Sequence, residues 1–370
     1  MALVRLGVET EDVLSVDTKS FCELTQKDWE DIGTLSEKQG VSAIVIDGLN
    51  YLVNKYGKDG IAPNIDRNWW QIYVLEGTGA LLQIEQGNSQ QIQVMNMLAS
   101  RWTEKGCMVM VFKGQASATL YPKPEHRSPG DIDCYLFEDY AKGNDIAREV
   151  GADVDESWYK HSQIFYHGET FENHQYFVHT RDGKRGKRLQ KELMENLHSN
   201  LKENSHQTSS FCHLTSSVML PPVQWVAMFL TYHACAHFVS EGLKIKQLLD
   251  WAMLLEKHQN DIDWKSFYAF CERYHLKRFA DAATAICVKY LGVKIMNPDI
   301  ITSSPFAEKI LDSALYDDDY VFGSGEGSWH NRWHLVKNLF RYRWKYEDIY
   351  EESVWRQLWF YASGYLFHTE

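Results

Sequence analysis

The sequence predicts an α+β protein, with a small mixed-sheet core flanked by N-terminal helices and followed by a larger, all-helical C-terminal domain. Three observations carry that prediction. Apolar residues recur at helical spacing up to about residue 100. Short, continuous or alternating apolar runs then crowd into the region from Met108 to Thr180, and helical periodicity returns near Leu189 and persists. For a chain of 370 residues two or three domains are expected, with boundaries at 1–100 for the helical entry region, 101–195 for the core and 211–370 for the C-terminal helices.

Between Thr25 and Gly106, segments such as AIVIDGLNYLVNKYG and QIQVMNMLASRWTEKG each close on a glycine, the residue a helix C-terminus favours. The pattern changes at CMVMVF (Cys107 to Phe112), which reads as a strand buried on both faces. KGQASATLYP follows as a turn and short helix ended by Pro122, then a Pro-rich loop, then DIDCYLF as a second strand. EDYAKGNDIAREVGA reads as a helix, and HSQIFYHGETFENHQYFVHT as a hairpin turning at His167 and Gly168. Ser199 to Ser210 (SNLKENSHQTSS) reads as a connection. LPPVQWVAMFLTYHACAHFV, KIKQLLDWAMLLEKH and DWKSFYAFCERYHLKRFADAATAICVKYLG then read as helices. Pro221 and Pro222 sit at a helix start, and NDIDW (Asn260 to Trp264) offers an N-cap. GSGEG (Gly323 to Gly327) follows no strand, so it reads as a linker rather than a phosphate loop, and the Trp/Tyr-rich tail reads as core.

Composition excludes some function classes. With 44% hydrophobic and 14% aromatic residues the chain has material for real cores and is not a disordered segment. A formal charge of -12 with no basic stripe argues against duplex nucleic acid as partner; RDGKRGKRLQK (Arg181 to Lys191) reads as a solvated turn and helix start. Seven scattered cysteines with no C-x-x-C pair fit reduced thiols. No signal-peptide pattern and no membrane-length apolar run stand out, so the expectation is a cytoplasmic protein without membrane contact.

The segment LYPKPEHRSPGDIDCYLF (Leu120 to Phe137) places two aspartates at the mouth of an apolar run. In a strand Asp131 and Asp133 share one face while Ile132, Cys134 and Leu136 take the other, so the carboxylates form one site. Such a pair suits two Mg²⁺ ions and in-line phosphoryl displacement. D-x-D alone is a weak signal, and "DID" recurs at Asp261 to Asp263 as a helix cap. The upstream context adds weight. Lys113 and Gly114 end the first strand in a turn where a glycine lets backbone approach a phosphate chain, and Arg127 and Ser128 stand just before the aspartates as further phosphate donors.

A strand, a glycine turn and a loop ending in D-x-D on a second strand resemble the nucleotidyltransferase fold shared with polymerase beta and the kanamycin nucleotidyltransferases. FKGQASATLYPKPEHRSPGDIDCYL is most similar to an uncharacterised bacterial nucleotidyltransferase family with the pattern K-G-x-A, L-Y-P and R-x-x-G-D-I-D. The resemblance extends through the helical C-terminal half. It implies a metal-dependent enzyme that moves a nucleoside monophosphate from an NTP, ATP being the first expectation, to a hydroxyl acceptor that is a small molecule or a protein. It also implies a third carboxylate in an E-x-H pattern, here Glu172 with His174, and Glu169 should the register differ. Nucleotide binding falls to Lys113, Gly114, Gln115, Arg127 and Ser128. Gln115 departs from the family fold's usual Gly-Ser or Gly-Gly, which keeps open an alternative: a catalytically inactive nucleotide-binding or antitoxin-like partner-binding protein.

His233 and His237 lie four apart on one helix face, a chelating spacing without a third ligand, for which core or interhelical hydrogen bonding is the first reading. Within the resemblance that helix flanks the cleft, making His237 a candidate substrate contact alongside His174. Lys246, close to Lys244 and Asp250, is a third candidate contact, near the triphosphate.

Overall fold

The computed structural model describes residues 1–10, 16–179, 183–203, 212–317, 336–356 and 358. The GSGEG stretch and most of SNLKENSHQTSS lie outside the described residues, as does part of the aromatic tail.

Five helices come first: α1 (Ala2–Gly7), α2 (Lys19–Cys22), α3 (Gln26–Lys38), α4 (Ser42–Tyr56) and the long α5 (Arg67–Glu104). Their starts are written locally. Thr25 and Asp28 form a capping box on α3, and the Asp66 carboxylate accepts from the Trp69 N–H on α5. Strand β1 (Met110–Val111), the short α6 (Gln115–Ala118), β2 (Ile132–Tyr135) and α7 (Tyr140–Glu149) follow, then β3 (Asp153–Asp155) and the hairpin β4 (His161–Tyr166) and β5 (Glu169–His174). After α8 (Lys184–Glu203) come β6 (Cys212–Thr215) and β7 (Val218–Leu220). The chain continues through α9 (Val223–Ser240), α10 (Ile245–His258), α11 (Trp264–Arg273), α12 (Lys277–Leu291) and α13 (Ala307–Tyr316).

The strands form one mixed sheet of order β3-β4-β5-β2-β1-β7-β6. β2 runs parallel to β5 and antiparallel to β1, while β1 runs parallel to β7. Two expectations need correction. The sheet includes residues 212–220, a stretch expected within the helical C-terminal part; its two strands, Cys212–Thr215 and Val218–Leu220, are too short to show a period. In addition, Asp131 precedes β2 instead of opening it, and only Met110 and Val111 of the CMVMVF run are laddered, because neighbours β2 and β7 are themselves short.

Strand alternation divides the interior in two. Val111, Ile132, Cys134, Ile164 and Phe171 face a core completed by Leu98 and Trp102 of α5. Trp102 Nε1 donates to the Gly143 carbonyl at 2.9 Å, locking α5 onto α7. On the opposite face Phe112, Tyr135 and Phe177 pack on Trp225 and Phe229 of α9, with Phe112 edge-on to Phe229 at 5.1 Å. That second core continues without a break through α10 and α12 to Leu3, Trp29 and Leu49 of the N-terminal helices. The terminal helices thus share one core.

The loop between α6 and β2 is held from several sides. Arg127 makes a bidentate ion pair with Asp250 of α10, Nε and Nη2 each at 2.8 Å, and the Tyr121 hydroxyl donates to the same carboxylate at 2.8 Å. Lys123 reaches Asp47 of α4 at 2.7 Å, and His126 bridges Asp47 and Glu85. Asn88 of α5 donates to the carbonyls of Glu125 and Arg127, and Gln91 donates to that of Gly130. Removing one partner of a buried pair strands the other charge. Asp250→Ala is therefore expected to lower stability by about 3–5 kcal/mol, and Arg127→Met combined with Asp250→Leu to recover most of that loss. Denaturant midpoints of wild type, Asp250→Ala and the double variant check this.

Candidate active site

β2 and β5 are in parallel register with Asp133 beside Glu172, so both carboxylates stand on the α9 face of the sheet. Residue 174, two further along β5, shares that face, and its Nε2 lies 3.2 Å from both Asp133 Oδ1 and Glu172 Oε2. The ring packs edge-on against Phe112 with centroids 5.0 Å apart. The antiparallel hairpin register puts His161 opposite His174, its Nε2 3.4 Å from Glu172 Oε1.

Asp133 is almost wholly buried, which an unpaired carboxylate does not tolerate. Lys113 Nζ lies 3.1 Å from each of its oxygens but hydrogen-bonds only to Oδ1, leaving Oδ2 with no hydrogen bond. Burial alone would raise the Asp133 carboxyl; the Lys113 ammonium and the His174 ring outweigh it and hold the group far below the usual carboxylate range. Burial likewise works against the Lys113 charge, yet Asp133 and then Glu172 carry its pKa above the ordinary value. Glu172 is opposed by burial but lowered overall through its hydrogen bond to His174. Asp131, exposed, has its carboxyl pushed up by desolvation first and by the charges of Glu172 and Asp133 next.

A cavity of ≈ 700 Å³ opens beside this group. Its wall includes Lys113, Gly114 and Asp131 from the sheet side and His233, His237 and Lys246 from α9 and α10. Gly114 has φ +62°, and a Cβ there would come within 2.9 Å of the Asp131 carbonyl oxygen. Glycine is required at this turn. His233 is partly buried, and desolvation pushes its imidazole well down; His237 pairs with Glu241 at 2.8 Å.

Several expected phosphate donors are otherwise engaged. The Gln115 amide, expected to reach a phosphate, is buried and donates to Asn88 Oδ1 at 2.7 Å and Gln91 Oε1 at 2.8 Å. Arg127 reaches the cavity wall, but its guanidinium is taken by Asp250; at Ser128 it is only the carbonyl that is engaged, accepting from Lys246 Nζ at 2.8 Å. Glu169 lies at the far end of β5, where Gln91 Nε2 donates to it at 3.3 Å. Two residues at the site escaped the sequence reading. His161 becomes visible only from the β4–β5 register, and Lys160 is a partly buried cation whose pKa is lowered by desolvation and then by Lys113.

The donor set fits a divalent cation. Asp133 offers a buried oxygen without a hydrogen bond, and one ligand atom from each of His161, Glu172 and His174 lie within 4.8 Å of one another. Carboxylates on adjoining strands of a mixed sheet, facing a glycine turn, are the layout of the nucleotidyltransferase class. The chain belongs to a family in that class: the family model described as an uncharacterised nucleotidyltransferase matches residues 25–292, from the start of α3 to the end of α12. No curated protein and no solved structure matches the chain. Among the described residues, no helix is long and apolar enough to cross a membrane.

Lys246 makes a pH prediction. Burial, then the charge of Arg127, pushes its ammonium down to about 7, while its Nζ contacts the Ser128 and Pro129 carbonyls at 2.8 and 3.4 Å. Above that pH the folded protein binds fewer protons here than the unfolded chain does, until the unfolded lysine also titrates near pH ~10.4. Stability contributed at this residue therefore rises with pH across that window and is lowest below it. Urea midpoints measured from about pH 7 to about pH 10 should show wild type gaining on Lys246→Met as pH rises.

Proposed function

We propose that this protein transfers a nucleoside monophosphate from an NTP, ATP in the first instance, to a hydroxyl acceptor, with Mg²⁺-class cations at the carboxylates. The observation that carries the reading is the β2–β5 register, which sets Asp133 against Glu172 while Asp131 lines the cavity across from Gly114. On this reading Asp131, Asp133 and Glu172 would hold the cations, which when bound neutralise charge on the phosphates and polarise the attacking hydroxyl.

The chain's own groups then have separate roles. The backbone at Gly114 lets the triphosphate approach as no side-chain-bearing residue would. Lys113, ion-paired with Asp133 and partly exposed, presents a cation to the α-phosphate side of the cavity. Glu172, kept ionised by its contact with His174, accepts the acceptor's proton as its oxygen attacks phosphorus and pyrophosphate leaves. His233, His237 and Lys246 border the rest of the cavity, where the acceptor or base would lie. The acidic balance of the chain favours a small molecule or a protein side chain as acceptor over a nucleic acid.

One observation favours a second reading, nucleotide binding without turnover. The Gln115 amide is spent on Asn88 and Gln91, so the turn supplies no side-chain donor to a terminal phosphate. Asp133→Asn keeps the shape and removes the charge. Pyrophosphate release from NTP with Mg²⁺ should fall by roughly 10³-fold with an unchanged circular dichroism spectrum. Equal turnover in wild type and variant sinks the mechanism, and tight binding with no release in wild type favours the second reading.

A further inference from the structure

Three adjacent strands bring four ligand-bearing side chains to one face of the sheet. β4 and β5 pair His161 with His174, and β5 and β2 pair Glu172 with Asp133. Three nitrogen-to-oxygen separations follow: 3.2 Å from His174 to Asp133, 3.2 Å from His174 to Glu172 and 3.4 Å from His161 to Glu172.

The hydrogen bonding decides how this convergence is understood. His174 Nδ1 lies 3.1 Å from the Tyr176 carbonyl oxygen, which can only accept, so Nδ1 carries a proton and Nε2 is the atom aimed at the two carboxylates. A histidine oriented from behind by a backbone carbonyl is the usual support of a metal ligand. With Nε2 also protonated the ring donates to these carboxylates; in the neutral ring Nε2 presents a lone pair to two anionic oxygens, and a cation bound among the three takes the proton's place. Asp133, with a side chain 3% exposed, keeps an oxygen free of hydrogen bonds, and the buried Nδ1 of His161 has no hydrogen bond. Ligands about 2.0–2.1 Å from a tetrahedral ion are about 3.3–3.4 Å apart, close to the separations seen here.

Magnesium takes oxygen shells, whereas imidazole nitrogen suits first-row transition ions. We propose that His161, His174, Glu172 and Asp133 form a mixed nitrogen and oxygen site for a divalent first-row transition ion, set deeper than the all-oxygen position at Asp131. The inference rests on reading Asp133 and Glu172 as cation ligands and extends that reading to the identity of one ion.

Cobalt(II) chloride is the probe, added to the full chain while the visible ligand-field absorption is recorded, with Zn²⁺ and Mg²⁺ as competitors. One equivalent of Co²⁺ should produce the bands, Zn²⁺ should displace them, and excess Mg²⁺ should not. His161→Ala and His174→Gln should each weaken Co²⁺ binding by about tenfold or more. His161 is the less buried of the two, so its variant remains informative if His174→Gln fails to fold. Absence of Co²⁺ bands in wild type, affinity within twofold of wild type in the folded histidine variants, or ready displacement by Mg²⁺ overturns the site. Should Mg²⁺-supported pyrophosphate release persist alongside such a failure, the functional reading survives it. Histidine-dependent Co²⁺ binding in a protein that releases no pyrophosphate supports the site and removes the catalytic reading.

Discussion

The Arg127–Asp250 pair is the constraint on which the site depends. A guanidinium buried in the loop before Asp131 has no local partner, and its carboxylate stands 123 residues further along the chain on α10. Desolvated charges of this kind do not add much net stability, but each makes the other's correct position obligatory. The loop that delivers Asp131 and Asp133 therefore reaches its native path only when the C-terminal helices have docked. Tyr121 on the same carboxylate, and Lys123 and His126 on Asp47, extend the requirement to the N-terminal helices.

The sheet's two faces answer to different physics. On the α5 side alternation gives an uninterrupted apolar core through Ile132, Cys134 and Phe171. The other face is apolar at Phe112, Tyr135 and Phe177 but polar at Asp133, Glu172, His161 and His174. A polar patch enclosed by aromatic residues has a low local dielectric, so its charges interact strongly with one another and with any charged ligand. That is why Asp133, although buried, lies far below its ordinary pKa value and the partly exposed Lys113 lies above its own.

Much of this was legible in the sequence because it is local. The period of two put Asp133 and its partners on one side, the His167–Gly168 break gave the hairpin, and the glycine after Lys113 marked the turn; the helix starts at Asp66 and Asp263 have short polar side chains in cap positions. What escaped is set by distant pairing. His161 joins the site through register with His174, Arg127 finds its partner on a helix far downstream, and β7 adds to β1 through a three-residue strand. Nothing in a neighbouring residue signals any of these.

Gln115 joins the local and the distant. As a departure from Gly-Ser it first reads as a loss, a phosphate-facing hydroxyl replaced by a longer amide. In the folded chain that amide donates to Asn88 and Gln91, whose own amides donate to the carbonyls of Glu125, Arg127 and Gly130. Asn88 and Gln91 each accept with the oxygen and donate with the nitrogen, and Gln115 donates to both, so the three form a buried relay. A serine hydroxyl is too short to span the same gap. The residue after the glycine turn thus fixes the end of the loop that carries Asp131, and the separation between turn and carboxylates is set by α5 instead of by a contact to substrate. A long, Pro-rich loop needs such an anchor more than a short one does.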